Sequence, residues 1–384
     1  MHLSTLAEAI RPTQIRDFRS KAEPSSLDLG LGQSHLPVPE PVRRAAIDAI
    51  RSGRASYSDN LGHPETRRAI ADDHGVDPKH VMVTCGVQEG LAVALLGLAD
   101  DGDEVLVPDP GFPAYANLVR AAGADVVRYP LDPDDEFALA SDAIVERLSN
   151  RTAAVVFNSP SNPTGRRHRR EALEPAVREL ERAGIPWISD EVYRDFTYGS
   201  AHLSPTDVSG AGRPPSPGLQ LAGLSKSMHA MGWRLGWLVG PADTIERLKL
   251  LHQHLVTCAP TPAQHAAVAA LEHRDRLVDE AMEVFGDRRR LALERLEDLP
   301  AVSAVPPDGA FYLFLDVRRY TGDGVDSLAL AEALLDRQDL VLVPGSGFGP
   351  GGEGFLRLAY AAGREELEEA FDRLEAFFAA REPV

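Results

Sequence analysis

The chain has 384 residues, and only four of its 40 basic side chains are lysines: Lys21, Lys79, Lys226 and Lys249. Any reaction that needs a primary amine therefore has four candidates. An amine attacks a carbonyl only as the neutral base, which requires burial or nearby positive charge. Lys79 lies in the polar turn DPKH, Lys249 on the charged face of IERLKLL, and Lys21 in the N-terminal segment. Lys226 instead follows an apolar run and sits in the Ser/Gly/Met stretch GLSKSMHAMGWR. Asp190 ends the apolar run IPWISD, where an unpaired carboxylate is expensive to ionise and a cationic partner is expected. Tyr193 follows three residues later. Gly86, Val87 and Gln88 open a helical pattern directly after the strand-like VMVT, and the N–H groups of such a start suit a dianion.

These residues need elements that bring them together. From about residue 80, short β-branched runs (VMVT, EVLVP, DVVRYP, AAVVF, IPWISD, LQLAGL, LGWLVG) alternate with helical stretches. That alternation predicts an open, mostly parallel α/β sheet covered by helices on both faces. Ligands of such sheets bind outside the carboxyl ends of the strands. Those ends carry Gly86 to Gln88, Asn158 to Asn162, Asp190 to Tyr193, and Ser225 with Lys226, so all four groups are expected at one crevice. Beyond residue 242 come long helical stretches. A smaller α+β unit follows, with AFYLFLDV, a helix over 327–337, LVLVP, FLRLAY and a terminal helix from 364. The Pro-interrupted first 40 residues cannot form a core alone and are expected to pack on that unit. SGAGRPPSPG (209–218) reads as a surface loop.

Several chemistries are excluded. A balance of 40 basic against 58 acidic residues, net −18, disfavours nucleic acid. No apolar stretch is long enough to span a membrane, and the start MHLSTLAEAIRPT lacks the features of a signal peptide, which implies a cytoplasmic enzyme. Gly347, Gly349 and Gly352 fit G-x-G-x-x-G, but the strand-like FLRLAYAA follows where a dinucleotide fingerprint requires a helix; a flexible Gly-rich loop is expected. His252, His254 and Cys258 lack metal-ligand spacing, and no zinc, Walker or nucleophile-elbow motif occurs, so no metal site is expected.

The sequence resembles the class I/II aminotransferases of the aspartate aminotransferase group, fold type I enzymes that use pyridoxal 5′-phosphate. LGLGQSHLPVPEPV, YSDNLGHPETRRAI, VTCGVQEGL, PDPGFPAY, NSPSNPTG, SDEVYRDF, GLSKSMHAMGWRLGW, DGAFYLF and GFLRLAYA carry the resemblance, in the family's order across nearly the whole chain. It implies a mostly parallel seven-stranded sheet plus a smaller α+β domain. The expected division is a segment 1–45 packing on the small domain, a large cofactor domain 46–280 and a small domain 281–384.

The resemblance also implies roles. Lys226 forms the Schiff base, Asp190 faces the cofactor's ring nitrogen, and Tyr193 with Asn162 hold its phenolic oxygen. Gly86, Val87, Gln88, Ser225 and Arg234 surround the phosphate, and Phe112 stacks on the ring. Tyr57 reaches the phosphate of a neighbouring subunit, which makes the protein a homodimer with shared sites. Arg357 takes the substrate carboxylate beside Gly32. Many relatives carry Ser or Thr three residues before the lysine as a phosphate ligand; this chain has Gly223. The implied reaction is ping-pong transfer of an amino group from an L-amino acid to a 2-oxo acid. The competing readings are a lyase, decarboxylase or cyclase on the same scaffold, and a non-catalytic cofactor-binding regulator.

Overall fold

The computed structural model describes residues 2, 10, 13–211, 216–322 and 324–383, and of residues 15–17 the backbone alone. Its strands in chain order are β1 Leu27–Asp28, β2 Val81–Thr84, β3 Glu104–Asp109, β4 Asp125–Pro130, β5 Thr152–Asn158, β6 Trp187–Asp190, β7 Leu219–Gly223, β8 Gly236–Val239, β9 Ser303–Ala304, β10 Tyr312–Asp316, β11 Leu340–Val341, β12 Val343–Pro344 and β13 Phe355–Ala359. The seven strands β2 to β8 form one sheet in the order β2-β8-β7-β6-β5-β3-β4. Every neighbouring pair is parallel except those of β8, which runs antiparallel to both β2 and β7.

The apolar runs build this sheet because alternate residues serve opposite faces. Met82, Val105, Val107, Ala154, Val156 and Leu221 share one core with Leu91 and Leu95 of the helix Val87–Leu98 and Ile245 of the helix Ala242–Leu255. Their neighbours turn the other way. Val81, Val83 and Trp237 pack with Ile70 and Ala266, and Leu106, Val155 and Phe157 pack with Leu173 and Val177. A sheet covered on both faces needs apolar side chains at every position, so its strands read as unbroken runs.

The remaining strands form a four-stranded antiparallel sheet, β12-β13-β10-β9, and the parallel pair β1–β11. Phe18 and Leu29 lie in the same core as Leu313, Leu356 and Phe371, whereas Val42 packs with Val81 and Val83 of the large sheet. The helix Arg274–Leu296 runs from one core to the other, with Leu277 among the large sheet's residues and Ala281 and Phe285 among those of the smaller one.

Three local expectations are corrected. LVLVP is not one strand: it breaks at Leu342 into β11 and β12, which belong to different sheets. LQLAGL ends as a strand at Gly223, and Leu224 opens the short helix Leu224–Ser227. The Gly-rich run is not a loose loop but two 3₁₀ turns, Gly345–Phe348 and Pro350–Gly352, followed by β13. Of the loop 209–218, residues 212–215 lie outside the described residues.

Candidate active site

Register brings the polar strand ends side by side. Asn158 is the β5 partner of Asp190, and Asp190 is the partner of Leu221 on β7, two residues before that strand ends. The chain then turns into the helix Leu224–Ser227, which carries Lys226. The result is a cavity of about 350 Å³ lined by Gly32, Val87, Gln88, Phe112, Asn162, Asp190, Tyr193, Ser225, Lys226, Arg234 and Arg357. Gly86 precedes the first of the helix residues in this wall. Tyr57 takes no part: its side chain is 84% exposed, outside its own chain's cavity.

Lys226 Nζ donates to the carbonyl of Gly32 at 2.5 Å and lies 5.6 and 5.7 Å from the ring centres of Tyr193 and Phe311. Burial of the ammonium pushes its pKa down to about 8, and the positive charge of Arg357 adds to that. Asp190, 5% exposed, accepts hydrogen bonds from Tyr115 Oη at 2.7 Å and from the Val192 amide at 3.2 Å. Burial nevertheless pushes its carboxyl up to about 6; the two donors and Lys226 pull the other way, while Glu191 reinforces the rise.

At one end of the cavity lies Arg357, 2% exposed in the middle of β13. Nη1 donates to Asn162 Oδ1 at 2.7 Å and Nη2 to the carbonyl of Gly30, and the guanidinium lies over the rings of Tyr312 and Phe348. Among the described residues its Nε is buried with no hydrogen-bond partner, so a buried charge-bearing donor remains for a ligand anion. Asn162 Oδ1 is thereby engaged, which leaves its Nδ2 as the donor able to meet an oxygen of a ligand. Tyr193 Oη sits 2.5 Å from Tyr312 Oη.

At the other end, Gly86 takes φ +80, a backbone favourable to glycine, and the helix Val87–Leu98 begins beside it. A Cβ at Gly86 would collide with the guanidinium of Arg234. The exposed N–H groups of Val87 and Gln88 and the Arg234 fork therefore flank one space, which suits a phosphate. Gly223 supplies nothing to it: a Cβ there would lie 2.7 Å from both Gly236 Cα and Leu235 O.

Two tyrosines of the wall were absent from the expected set. Tyr115 and Tyr312 both line the cavity and are both 1% exposed. Each lies in a motif already noted, PDPGFPAY and DGAFYLF, where its aromatic character reads as core packing.

The cavity can therefore hold a flat aromatic aldehyde with a phosphate arm. The orphaned Arg357 donor, the glycine-lined phosphate end, the depressed lysine and the buried carboxylate together fit pyridoxal phosphate and an amino-acid substrate. The sequence profile of the class I and II aminotransferases matches residues 24–374. The chain is 33% identical to a probable aspartate aminotransferase of Methanocaldococcus jannaschii over 98% of its own length and 100% of the relative's. It is also 33% identical to aromatic-amino-acid aminotransferase 2 of Thermococcus litoralis, over 98% of each chain. The solved aspartate aminotransferase of Thermus thermophilus with maleate superposes with a TM-score of 0.91 at 31% identity, covering 98% of this chain and 100% of that one.

Proposed function

The chain belongs to the class I and II aminotransferases, pyridoxal-phosphate-dependent enzymes that pass an amino group from an amino acid to a 2-oxo acid, and from that premise we propose how its own residues divide the work. The cofactor supplies the aldehyde that takes the amino group and the ring that accepts the electrons left when the Cα proton departs. Lys226 is the attaching amine. Its Nζ would be the group to take the Cα proton and return one, as general base and then general acid; a pKa near 8 keeps both forms accessible at neutral pH. Asp190 would hold a proton on the cofactor's ring nitrogen. Tyr193 Oη and Asn162 Nδ2 would hold the cofactor's phenolic oxygen, and Phe112 would stack on its ring. Gly86, Val87, Gln88, Ser225 and Arg234 hold the phosphate. Arg357, beside Gly32, orients the substrate carboxylate. The single observation that supports this division most is the convergence of a pKa-lowered lysine, a buried carboxylate and a buried arginine donor on one cavity.

The working form is a homodimer in which the partner's Tyr57 completes the phosphate site. Tyr57, Ile50 and Leu255 are all strongly exposed, which supports a surface to be covered. The domain division at about residue 280 is supported by the change of core within the helix Arg274–Leu296, between Leu277 and Ala281. A cytoplasmic setting is supported by two free thiols, Cys85 and Cys258.

The test is an absorbance titration of the purified enzyme with a panel of amino acids that includes aspartate and the aromatic amino acids. The bound cofactor's visible band should bleach with a donor and return with a 2-oxo acid. Lys226→Ala should show neither that band nor turnover, and retained turnover would remove Lys226 from its role. In the cofactor-free protein, reaction of Lys226 with an added aldehyde should rise through pH about 8, well below the 10.5 of an ordinary lysine.

A further inference from the structure

Asp190 must be a carboxylate to hold a proton against a ring nitrogen, yet it is buried at the floor of the cavity, where charge is poorly solvated. Two donors offset that penalty, and only one of them is a side chain. Tyr115 comes from the helix Ala114–Ala121, 75 positions earlier in the chain, and brings its hydroxyl to 2.7 Å from Asp190 Oδ2. The other carboxylate oxygen, Oδ1, is met by the Val192 amide at 3.2 Å. The remaining ionisable groups facing Asp190 are Lys226, Tyr193 and Glu191. Glu191 turns away to its own partners, His202 and Ser204. Lys226 donates to Gly32 and Tyr193 is engaged with Tyr312, so neither is bonded to Asp190.

Tyr115 is itself fixed. It is 1% exposed and meets Phe112 edge-on at 5.7 Å between ring centres. Its hydroxyl is far too reluctant to lose its proton to act as an acid, since burial and the adjacent carboxylate both raise its pKa well above the ordinary range. Its one available service is to donate.

We propose that Tyr115 is a positioning residue that keeps Asp190 ionised and aimed, and so sets the lower pH limit at which the cofactor is held. The inference rests on the proposed role of Asp190. Tyr115→Phe removes one oxygen and leaves the ring in place. The hydroxyl bonds the charged form of Asp190, so its loss raises that carboxyl's pKa, by about one unit for a bond to an ionised group.

The experiment is equilibrium binding of pyridoxal phosphate to the cofactor-free protein between pH 5 and 8, followed by fluorescence quenching, with folding checked by circular dichroism. The ligand's own titrations are common to every variant, so a difference in profile belongs to the protein. In the parent chain the affinity should fall as pH drops through about 6, where Asp190 takes up a proton. In Tyr115→Phe the fall should begin about one pH unit higher, with affinity about fivefold weaker at pH 6. Tyr115→His, which keeps a donor, should move the profile part of the way back. Phe112→Leu should weaken binding at all pH values without moving the midpoint.

A folded Tyr115→Phe whose midpoint stays within 0.3 unit of the parent's, as an experimental margin of roughly 0.4 kcal/mol, overturns the role of Tyr115. If Asp190→Asn also binds as the parent does at pH 7, the assignment of Asp190 fails, and that result is distinguishable from failure of Tyr115 alone.

Discussion

Replacing Gly223 by serine would restore the hydroxyl that many relatives carry three residues before the lysine. On chemistry alone it should strengthen the hold on a phosphate. The packing predicts the reverse. The new Cβ would stand 2.7 Å from Gly236 Cα and 2.7 Å from Leu235 O, 0.7 Å short of the 3.4 Å at which ordinary contact begins. Neither neighbour is a side chain that can swing aside. Gly236 opens β8, which is bonded on one side to β2 and on the other to β7. Gly236 also backs onto the Gly86–Val87 turn, since a Cβ there would lie 2.6 Å from the Val87 amide. A displacement at Gly223 therefore passes through Gly236 to the helix start that receives the phosphate. Overpacking of this kind costs about 1–3 kcal/mol. With about 2.1 cal/mol/K per residue over 384 residues, the midpoint should fall by roughly 1–4 °C. Misaligning one charge-assisted donor should weaken pyridoxal phosphate binding about tenfold. Thermal melts of the cofactor-free protein and equilibrium binding measure the two effects separately. A Gly223→Ser variant that binds the cofactor more tightly with an unchanged melting point would refute the packing argument.

Two further perturbations test other parts of the same geometry. In Gly32→Ala the added methyl falls within contact distance of the Tyr312 hydroxyl and 3.0 Å from its Cζ, so the loop whose carbonyls meet Lys226 and Arg357 must shift. Since displacements of about 1 Å can cost on the order of a hundredfold in rate, kcat/KM should fall strongly, and adding Tyr312→Phe should recover part of the loss; a fully active single variant would contradict the contact. The second concerns acid stability: His74 and His168 are held near 3 and His229 near 4 by burial, against an ordinary 6.5. The unfolded chain therefore binds more protons below pH 6.5, and each histidine removes about 1.4 kcal/mol of stability per pH unit as the pH falls from there towards its folded value. Asp190 and Asp109, whose pKa values are raised, act in the opposite sense between their unfolded and folded values. Urea midpoints of the cofactor-free protein should drop between pH 6.5 and 5, less steeply in His168→Gln; equal slopes would show that His168 is charged in the folded state.

Much of the site was readable in the sequence because the strand ends carry it. Lys226, Asp190 and Asn162 each follow an apolar run, and parallel strands stacked in one sheet deliver such ends to a common edge. Tyr115 and Tyr312 were not readable as site residues. A buried tyrosine in an apolar motif is usually core, and what distinguishes these two is where the hydroxyl lands. That depends on partners 75 and 119 positions away. The break at Leu342 was hidden for a related reason: LVLVP is uniformly apolar, and only tertiary pairing assigns its first half to β1 and its second to β13. Tyr57 shows a different boundary, because a residue proposed to act in another subunit leaves no trace in its own chain's cavity.

The pairing of β1 with β11 joins Leu27 to Leu340, and it has a consequence for how the protein is made. The loop after β1 offers the carbonyls of Gly30 and Gly32 to Arg357 and Lys226, so the first part of the site to leave the ribosome is completed by almost the last. At about 5–20 residues per second, some 313 positions take roughly 15–60 s to synthesise. The large sheet can fold once β8 is made, while the early segment still has no partner strand. Long-range closure of this kind is slow, so a competent enzyme emerges only after translation has passed β13, and a nascent chain stalled before that point would carry the lysine without the arginine that orients its substrate.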